Sequence, residues 1–329
     1  MGKIVILVMG ANAEIASGIK FIDEFNIARN TWAKDYTDII YYDGGLKYMK
    51  NEYDEENHVL HLACEDDMEF VFKKTWMALK WLVDNKKIDK GDWVFRTNTS
   101  TAVNIPVLKY IVEKFAIPTD IYCSDIYSLS EGNCPYPLCL YGRGNGLLIS
   151  YDRVVENILK DGISFLYTTI TDDIGIGNLF NSYTIKNNDK VPYYEHIKGL
   201  PHGWWRSVDR KFNNNHKVCP EFGNDKFIPW CATWTFKRYR NRETELDNYN
   251  EIAAQIPQSD SNVDLLIYDN KIKDAINEPS IFIGSVLGYI PFREWKNINK
   301  NDLYLLEITH KAIDDEQYQK YIDIQGKNF

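Results

Sequence analysis

The densest group of basic residues lies late in the chain and comprises Lys237, Arg238, Arg240 and Arg242. Guanidinium and ammonium groups donate charge-assisted hydrogen bonds, so such a cluster can bind the oxygens of a diphosphate. It can equally form a solvated basic surface, which is the more common role of a run of this kind. We expect at least one of the four side chains to contact phosphate, with Lys237 and Arg238 as the first candidates.

Two adjacent tryptophans, Trp204 and Trp205, stand in the segment Pro-His-Gly-Trp-Trp-Arg. Aromatic rings stack on the apolar C–H faces of sugars, and this chain is rich in them, with 22 Tyr, 15 Phe and 9 Trp. The pair is therefore a candidate for stacking on a sugar ring. Anchoring an irregular loop to the core is the other role that the sequence allows.

Short apolar runs alternate with amphipathic helical patterns through the first half of the chain. This alternation predicts strands over residues 3–9, 38–42, 58–63 and 92–97 of one mostly parallel sheet, which is the order of a doubly wound α/β domain. In such sheets the ligand binds at the carboxyl ends of the strands. The polar or small residues that end or follow the strands are therefore candidate ligand-binding residues: Gly10, Asn12, Asp43, Arg96, Asn98 and Ser100.

The helical segments and the domain boundary follow from the same pattern. Asp66 or Asp67 is expected to cap a long helix, and Pro106 suits the first turn of another. Beyond about residue 184 the alternation loosens, and residues 257–262 have the composition of a linker. We therefore expect a main domain over residues 1–256 and a small appendage, residues 263–329, packed on it.

Charge and composition exclude several classes of function. The formal net charge of −9 argues against nucleic acid as a partner. The first apolar run, Ile4–Met9, is too short for a signal peptide or a transmembrane span. Six cysteines without a CxxC pair are typical of reduced thiols, so a cytoplasmic protein is expected. The first strand is followed by Gly10-Ala-Asn-Ala-Glu rather than G-x-G-x-x-G, which argues against a Rossmann-type oxidoreductase.

Six sequence blocks, taken together, resemble one family of enzymes. They are Arg29-Asn-Thr-Trp32, the segment 66–81 with Lys-Lys-Thr-Trp, Asp92–Thr97, Tyr136-Pro137, Gly144–Ser150 and Asp172–Gly177. In this order they resemble the β-1,3-galactosyltransferase and Fringe group, glycosyltransferase family 31, over roughly residues 1–180. The resemblance implies a GT-A fold, a UDP-sugar donor, a glycan hydroxyl as acceptor, and inversion at the anomeric carbon.

The resemblance also implies roles for individual residues. Asp173 falls on the aspartate that takes the proton of the attacking hydroxyl, so it is the candidate general base. Its neighbour Asp172 is a candidate acceptor-binding residue, although either aspartate can instead cap a helix. Gly144 and Gly146 match a G-x-G pattern that permits close approach to the acceptor, or simply a bend in a strand. Lys74 and Arg29 match family positions and are expected to form structural ion pairs, with Lys74 also a candidate for the donor site. The candidate ligand-binding residues at the strand ends then belong to the donor site, and Trp204 and Trp205 belong to the acceptor site.

The sequence departs from the family at the metal site. Where the family has D-D-D after the fourth strand, this chain has Asn98-Thr99-Ser100, and no histidine occurs in the late strand over residues 228–240. Amide and hydroxyl oxygens are poorer ligands than carboxylates for a hard cation. We therefore expect a metal-independent enzyme with no cofactor, in which Asn98 and Ser100 contact the donor or form a turn. A Mn²⁺ or Mg²⁺ site built from other carboxylates is the alternative.

A catalytically inactive relative that binds a carbohydrate or a nucleotide sugar would also explain the loss of the acidic triplet. The presence of Asp173 and of the basic cluster argues against this alternative, because a protein that only binds sugar has little need for a general base.

Overall fold

The computed structural model of the protein describes the first half of the chain almost continuously and the second half in short pieces. The described residues are 2–14, 20–45, 47–114, 122–129, 139–166, 171–177, 179, 197–199, 205–208, 233–236, 249–250, 253–254, 256, 280–282 and 289–291. They include the four strands that the sequence predicts, so the predicted sheet can be compared with the observed one.

All four predicted strands form, and they pair in parallel within one sheet. The first five strands of the chain are β1 (Ile4–Met9), β2 (Ile39–Gly44), β3 (Glu52–Asp54), β4 (Val59–Leu62) and β5 (Trp93–Asn98). The four parallel strands stand in the order β4-β2-β1-β5, and the short β3 pairs antiparallel with β4 at the edge. The predicted α/β class with a parallel core is confirmed.

The later strands extend this sheet and form two smaller ones. They are β6 (Thr101–Val103), β7 (Tyr122–Leu129), β8 (Cys139–Ser150), β9 (Ile197–Gly199), β10 (Trp205–Val208), β11 (Thr233–Phe236), β12 (Ser280–Phe282) and β13 (Tyr289–Pro291). The main sheet has the order β3-β4-β2-β1-β5-β8-β7-β9, and β8 runs antiparallel to both β5 and β7. A second sheet has the order β10-β11-β6, and β12 pairs with β13.

Helices cover both faces of the main sheet. They are α1 (Phe21–Asn30), α2 (Val71–Asp84), α3 (Ile105–Lys114) and the turn Tyr151–Arg153, which continues as a π-helical segment, Val154–Leu159. Short 3₁₀ turns occur at Met68–Phe70 and Gly162–Phe165, and residues 172–177 are helical. Residues of α1 and α3 pack on one face, and residues of α2 and the π-helical segment pack on the other.

The two faces of β1 show why the sheet is buried on both sides. Ile4, Ile6 and Val8 join the hydrophobic cluster that contains α1, whereas Val5 and Leu7 join the cluster that contains α2. Successive side chains of a strand point to opposite faces, so an uninterrupted apolar run is stable only between two helical layers. Burial of each such side chain stabilises the fold by about 1.5–3 kcal/mol.

The start of α2 differs from the prediction. Asp67 precedes the 3₁₀ turn without a capping bond from its side chain, and Phe70 is the residue before α2. The carboxylate of Asp66 lies 2.6 Å from Nζ of Lys74 instead, because a buried ammonium group needs a counter-charge. The aspartate cap was therefore wrong, whereas the helix with Pro106 in its first turn is confirmed.

The predicted appendage over residues 263–329 is described only at β12 and β13, so its boundary and the linker over residues 257–262 stay predictions. Before the linker, Tyr249, Ala253 and Ile256 are buried in the same cluster as α1. Within the described ranges, no helix has both the length and the apolar character needed to cross a membrane.

Candidate active site

The polar residues that end or follow the strands gather at one edge of the main sheet. The strands β1, β2, β4 and β5 are parallel, so their carboxyl ends share that edge. The helical residues 172–177 reach the same edge, because Asp172 contacts both β5 and α2 there. The predicted site residues that occupy this edge are Gly10, Asn12, Asp43, Lys74, Arg96, Asn98, Ser100, Gly144, Asp172 and Asp173.

Asp173 lies in the first turn of the helical residues 172–177 and is partly buried. Its Oδ1 atom accepts hydrogen bonds from the hydroxyl of Thr171 at 2.6 Å and from the N–H of Ile174 at 2.9 Å. Its Oδ2 atom accepts a longer bond, 3.3 Å, from the N–H of Gly144. One oxygen therefore fixes the carboxylate, and the other retains a lone pair for a further donor.

The side chain of Asp172 is buried in the core, whereas that of its neighbour Asp173 is only partly buried. Its Oδ2 atom lies 2.6 Å from Nη2 of Arg96 and accepts a 2.8 Å hydrogen bond from the hydroxyl of Thr75. That hydroxyl is in turn 2.7 Å from the hydroxyl of Tyr42. Because Asp172 is only 2% exposed, direct contact with an acceptor would require the buried ion pair to open. At the helix start, the N–H of Ile174 donates its hydrogen bond to the carboxylate of Asp173.

Burial controls the electrostatics of this ion pair. Burial raises the pKa of Asp172, against the lowering influence of Arg96, and repulsion from Asp173 adds to the rise. Burial lowers the pKa of Arg96, but the attraction of Asp172, Tyr42 and Asp173 together outweighs it, so the pKa of Arg96 is raised. A charge pair of this kind is costly to desolvate and is held by the attraction of its partners.

Gly144 is the point where β8 meets both Arg96 and Asp173. The Nη1 atom of Arg96 donates a hydrogen bond to the carbonyl of Gly144, whose N–H donates to Asp173. A Cβ atom at Gly144 would lie 2.9 Å from Nη1 of Arg96 and 3.3 Å from Oδ2 of Asp173. Glycine thus permits the close packing of backbone and side chains here. Gly146, farther along β8, is buried.

Lys74 is bound within the protein. Its Nζ atom donates to the carbonyl of Gly10 at 2.7 Å and to Oδ1 of Asp66 at 2.6 Å. The other carboxylate oxygen of Asp66 accepts a hydrogen bond from the backbone N–H of Asn12. Lys74 is 2% exposed, so the structural ion pair foreseen as one of its two roles is present. The three contacts together hold the loop after β1.

A second polar cluster joins the ends of β2 and β4. Asp43 and His61 are cross-strand partners, and Oδ1 of Asp43 lies 2.7 Å from Nδ1 of His61. The ring of Tyr48 stacks on His61 with centroids 4.6 Å apart, and its hydroxyl accepts a 3.2 Å hydrogen bond from Asn12. Burial raises the pKa of Asp43, and the hydrogen bond from His61 offsets part of that rise. Asn12 and Asp43, predicted separately, therefore belong to one cluster.

Asn98 ends β5, and its Oδ1 atom is buried without a hydrogen-bond partner in the described structure. The same is true of Oδ1 of Asn145, on the neighbouring strand β8. A buried acceptor left unpaired costs about 1–3 kcal/mol. A ligand that donates a hydrogen bond to either amide would remove that cost. Ser100, two residues beyond Asn98, is 9% exposed.

Gly10 has a packing role in this structure. A Cβ atom at this position would lie 2.0 Å from the ring of Tyr41. The carbonyl of Gly10 accepts the hydrogen bond from Lys74. The lack of space for a Cβ atom accounts for glycine after β1 without a ligand, and its predicted contact with the donor stays a prediction.

Three predicted residues, Trp204, Lys237 and Arg238, lie outside the described residues. Trp205 begins β10, whose backbone pairs in parallel with β11, and the basic cluster follows β11 directly in the sequence. Their proposed roles in binding therefore stay predictions.

The Arg-x-Thr-Trp block has structural roles. The guanidinium of Arg29 donates to the backbone carbonyls of Asn57 at 3.1 Å and Glu56 at 3.2 Å, which fixes the turn between β3 and β4. The indole N–H of Trp32 donates to the hydroxyl of Tyr249 at 3.0 Å. The sequence predicted an ion-pair role for Arg29, but its partners here are carbonyl oxygens.

Sequence reasoning missed four residues that complete the site: Thr75, Asp66, Tyr48 and His61. Thr75 directly follows Lys74 in a block that was matched to the family, so the block itself could have indicated it. The role of His61 depends on the register between β2 and β4, which the sequence alone does not fix.

Metal ligands were expected to be absent from this edge of the sheet. Across the described ranges, no three His, Cys, Asp or Glu side chains are grouped so that they could hold a metal ion. The side chains of several carboxylates lie outside these ranges, so metal independence stays a prediction.

Two glycosyltransferases are among the solved structures that resemble this chain. The galactosyltransferase LgtC, crystallised with donor and acceptor sugar analogues, has a TM-score of 0.41 and 12% identity, covering 78% of this chain and 96% of that one. A glycosyltransferase involved in glycosylation of the major capsid of PBCV-1 has a TM-score of 0.35 and 10% identity, covering 75% and 99%. The sequence matches no protein-family model and no curated protein. At such low scores the function has to be inferred from the site itself.

Proposed function

We propose that the protein is an inverting glycosyltransferase that moves a hexosyl or pentosyl group from a UDP-sugar to a hydroxyl of a glycan, without a metal ion. The observation that supports this best is the carboxylate of Asp173, fixed through one oxygen at the edge of the sheet where doubly wound folds bind ligands. The family resemblance of the sequence supports the same assignment, because Asp173 matches the position of the general base.

In this reaction Oδ2 of Asp173 takes the proton of the acceptor hydroxyl while the hydroxyl oxygen attacks the anomeric carbon. The bond between the anomeric carbon and the diphosphate oxygen breaks on the opposite face. The diphosphate leaves with the electron pair, so the configuration inverts. The hydrogen bonds from Thr171 and Ile174 to Oδ1 hold the carboxylate in one orientation throughout.

The nucleoside part of the donor is assigned to the cluster of Asp43, His61, Tyr48 and Asn12. This cluster offers the stacked rings of Tyr48 and His61 beside a carboxylate that is able to accept hydrogen bonds from a base or a ribose. It lies at the carboxyl ends of β2 and β4, at the same edge as Asp173. The chemistry of the cluster therefore suits an aromatic, hydroxyl-bearing group.

The leaving diphosphate needs positive charge or hydrogen-bond donors. Lys74 and Arg96 are both 2% exposed or less and are paired with carboxylates, so we assign their charge to the protein framework. Lys237 and Arg238 are the proposed cations that bind the diphosphate, and the side-chain amide of Asn98 is proposed to donate a further hydrogen bond to it. The support for the two cations is their clustering in the sequence.

The acceptor is assigned to the region beside Asp173. The backbone of Gly144 and Gly146 on β8 is the proposed contact for the acceptor, and Trp204 and Trp205 are the proposed stacking residues for a sugar ring. An acceptor bound there would present its hydroxyl to the less occupied oxygen of Asp173.

The test is a panel of nucleotide sugars with short glycan acceptors, applied to the full chain and to Asp173→Asn. We expect release of nucleoside diphosphate with one donor, a product of inverted anomeric configuration by NMR, and loss of most turnover in the variant. Asp84→Asn, which removes an exposed carboxylate, is the matched control and should retain turnover.

Two results would contradict the proposal. A product with retained configuration would exclude the inverting mechanism. Donor binding without turnover for any donor, and without an effect of Asp173→Asn, would favour the inactive sugar-binding relative.

A further inference from the structure

We propose that Arg96 and Asp172 form a positioning unit that fixes the backbone of Gly144 against Asp173. The inference rests on the proposed function, since it takes Asp173 to be the general base. It gives Arg96 and Asp172 roles different from the donor and acceptor contacts that their sequence positions suggest.

The connection runs through the two backbone polar groups of Gly144, its carbonyl and its N–H, which belong to adjacent peptide groups. Arg96 donates from Nη1 to the carbonyl of Gly144 and pairs through Nη2 with Asp172. Gly144 then donates its N–H to Oδ2 of Asp173. The guanidinium therefore sets the position of the backbone that contacts the oxygen proposed to take the proton. A displacement of Arg96 would therefore displace the N–H of Gly144, which lies beside that oxygen.

The guanidinium is the group that this arrangement requires. Its planar fork offers two nitrogens in a fixed geometry, one for a carbonyl and one for a carboxylate, whereas the ammonium group of lysine is a single point charge. Arg96 is 1% exposed and Asp172 is 2% exposed, so neither side chain is on the surface where a donor or acceptor would bind.

The energetics also point to a role other than stability. Replacement of a buried ion pair by apolar residues of similar volume is often neutral or stabilising, because both charges must be desolvated. A buried Arg–Asp pair is therefore weak evidence for stabilisation. Its contacts with Gly144, and through it with Asp173, supply a functional reason for the charges.

The unit is anchored from the opposite side by α2. Thr75 donates a 2.8 Å hydrogen bond to the carboxylate oxygen of Asp172 that also pairs with Arg96. The hydroxyl of Tyr42, on β2, lies 2.7 Å from that of Thr75. The position of Gly144 is thus tied to both the sheet and a helix, which is the rigid support that a catalytic group requires.

Two variants test this unit in the full-length protein. Arg96→Lys keeps a cation beside Asp172 but removes the fork. The double variant Arg96→Met with Asp172→Leu removes both charges together and so avoids an unpaired buried charge. The matched control, Lys80→Gln with Asp84→Asn, removes an exposed ion pair on α2 whose members are 48% and 53% exposed.

The first measurement is hydrogen exchange at the amide of Gly144, followed by NMR with ¹⁵N-labelled glycine. We expect faster exchange at Gly144 in both test variants, with the melting temperature and the other protected glycine amides little changed. The control should match the wild type. Unchanged exchange at Gly144 would overturn the inference, and this readout does not depend on knowing the substrate.

The second measurement is turnover, with and without Asp173→Asn. Misplacement of a catalytic group can cost on the order of 10²-fold in rate, so kcat should fall by about that factor while the KM for the donor stays unchanged. In the Asp173→Asn background the same substitutions should lower kcat only a little further. A raised donor KM with additive losses would overturn the inference and restore donor binding by Arg96.

Failure of the proposed function can be distinguished from failure of this inference. If the wild type transfers no sugar, the proposed function is wrong, but hydrogen exchange at the amide of Gly144 would still decide whether Arg96 and Asp172 hold its backbone in place.

Discussion

The hydroxyl of Thr171 donates a 2.6 Å hydrogen bond to Oδ1 of Asp173, whereas the contact of Oδ2 with Gly144 is 3.3 Å long. The two oxygens of one carboxylate therefore differ in how strongly they are bound. A helix cap needs only the first oxygen, and a general base needs an available lone pair on the second. This asymmetry makes the catalytic and capping roles of Asp173 separable by experiment.

The Asp173→Asn variant is expected to fold and to bind the donor nearly as well as the wild type while losing most transfer. The amide oxygen can still accept from Thr171 and Ile174, but the amide nitrogen cannot take a proton from the acceptor. Loss of a general base typically costs about 10²–10⁴-fold in rate, which corresponds to roughly 3–5 kcal/mol of barrier. Melting temperature, donor affinity and turnover should be measured on the same sample.

Thr171→Ala provides the comparison for the capping role. It removes the 2.6 Å bond and leaves the carboxylate, so it should reduce stability by about 0.5–2 kcal/mol and reduce the rate less than Asp173→Asn does. Near-normal turnover of Asp173→Asn would remove this residue from the mechanism.

The parallel core of the fold could be predicted from the sequence because its signal is local. The apolar run of β1, Ile4–Met9, and the apolar start of β5, residues 93–95, lie in buried strands, and the helical stripes between them fix the crossover topology. The start of α2 was wrong because the same aspartate can cap a helix or pair with a lysine. Asp66 pairs with Lys74, and only the tertiary structure decides between the two.

The site was harder to predict because its contacts join distant segments. Residue identity and strand ends indicated Arg96, Gly144 and Asp173 separately. The sequence did not indicate that Arg96 contacts Gly144 or that Gly144 contacts Asp173. Burial is the property that changes the assignment of Arg96, and burial of a charged side chain follows from packing rather than from residue type.

Turnover is expected to survive chelation. Asn98, Thr99 and Ser100 offer neutral oxygens where the family that the sequence resembles has carboxylates, and such oxygens bind Mn²⁺ or Mg²⁺ weakly. Activity should therefore be similar in excess EDTA and in added manganese or magnesium. A strict requirement for manganese would show that other carboxylates form a metal site.

The contribution of Asp43 to stability should depend on pH. Burial raises its pKa above the ordinary value of 3.8, so the folded protein binds this proton more tightly than the unfolded chain does. Its stabilising contribution is then complete below pH 3.8 and is lost as pH rises through the folded pKa. Asp43→Asn does not ionise and should gain stability relative to the wild type as pH increases from about 4 towards neutrality.

Urea unfolding of both proteins across that pH range measures the difference. Asp84→Asn, which removes a carboxylate that is 53% exposed, serves as the control for the loss of one negative charge. A difference between Asp43→Asn and the wild type that stays constant, or that falls with rising pH, would contradict the effect of burial on Asp43.

Gly144→Ala should impair transfer more than donor binding. The added methyl group would lie 2.9 Å from Nη1 of Arg96 and 3.3 Å from Oδ2 of Asp173, so both side chains must shift. Overpacking of this kind typically costs about 1–3 kcal/mol of stability. We expect a lower kcat with a nearly unchanged donor KM, whereas an unchanged kcat would show that Asp173 tolerates the displacement.

Tyr249→Phe should destabilise the protein because it leaves the indole N–H of Trp32 without its partner. Trp32 is 1% exposed, and its Nε1 atom donates to the hydroxyl of Tyr249 at 3.0 Å. An unsatisfied buried donor costs about 1–3 kcal/mol, whereas removal of both partners costs less than the sum. The free energy of unfolding in urea should therefore fall by about that amount in Tyr249→Phe, and the loss should be less than additive when Trp32→Phe is combined with it.

Tyr53→Phe is the control, since its hydroxyl makes a partly buried contact of 3.4 Å with His58 and should contribute less. Strictly additive losses for Trp32 and Tyr249 would mean that this hydrogen bond does not couple Tyr249 to the segment that follows α1.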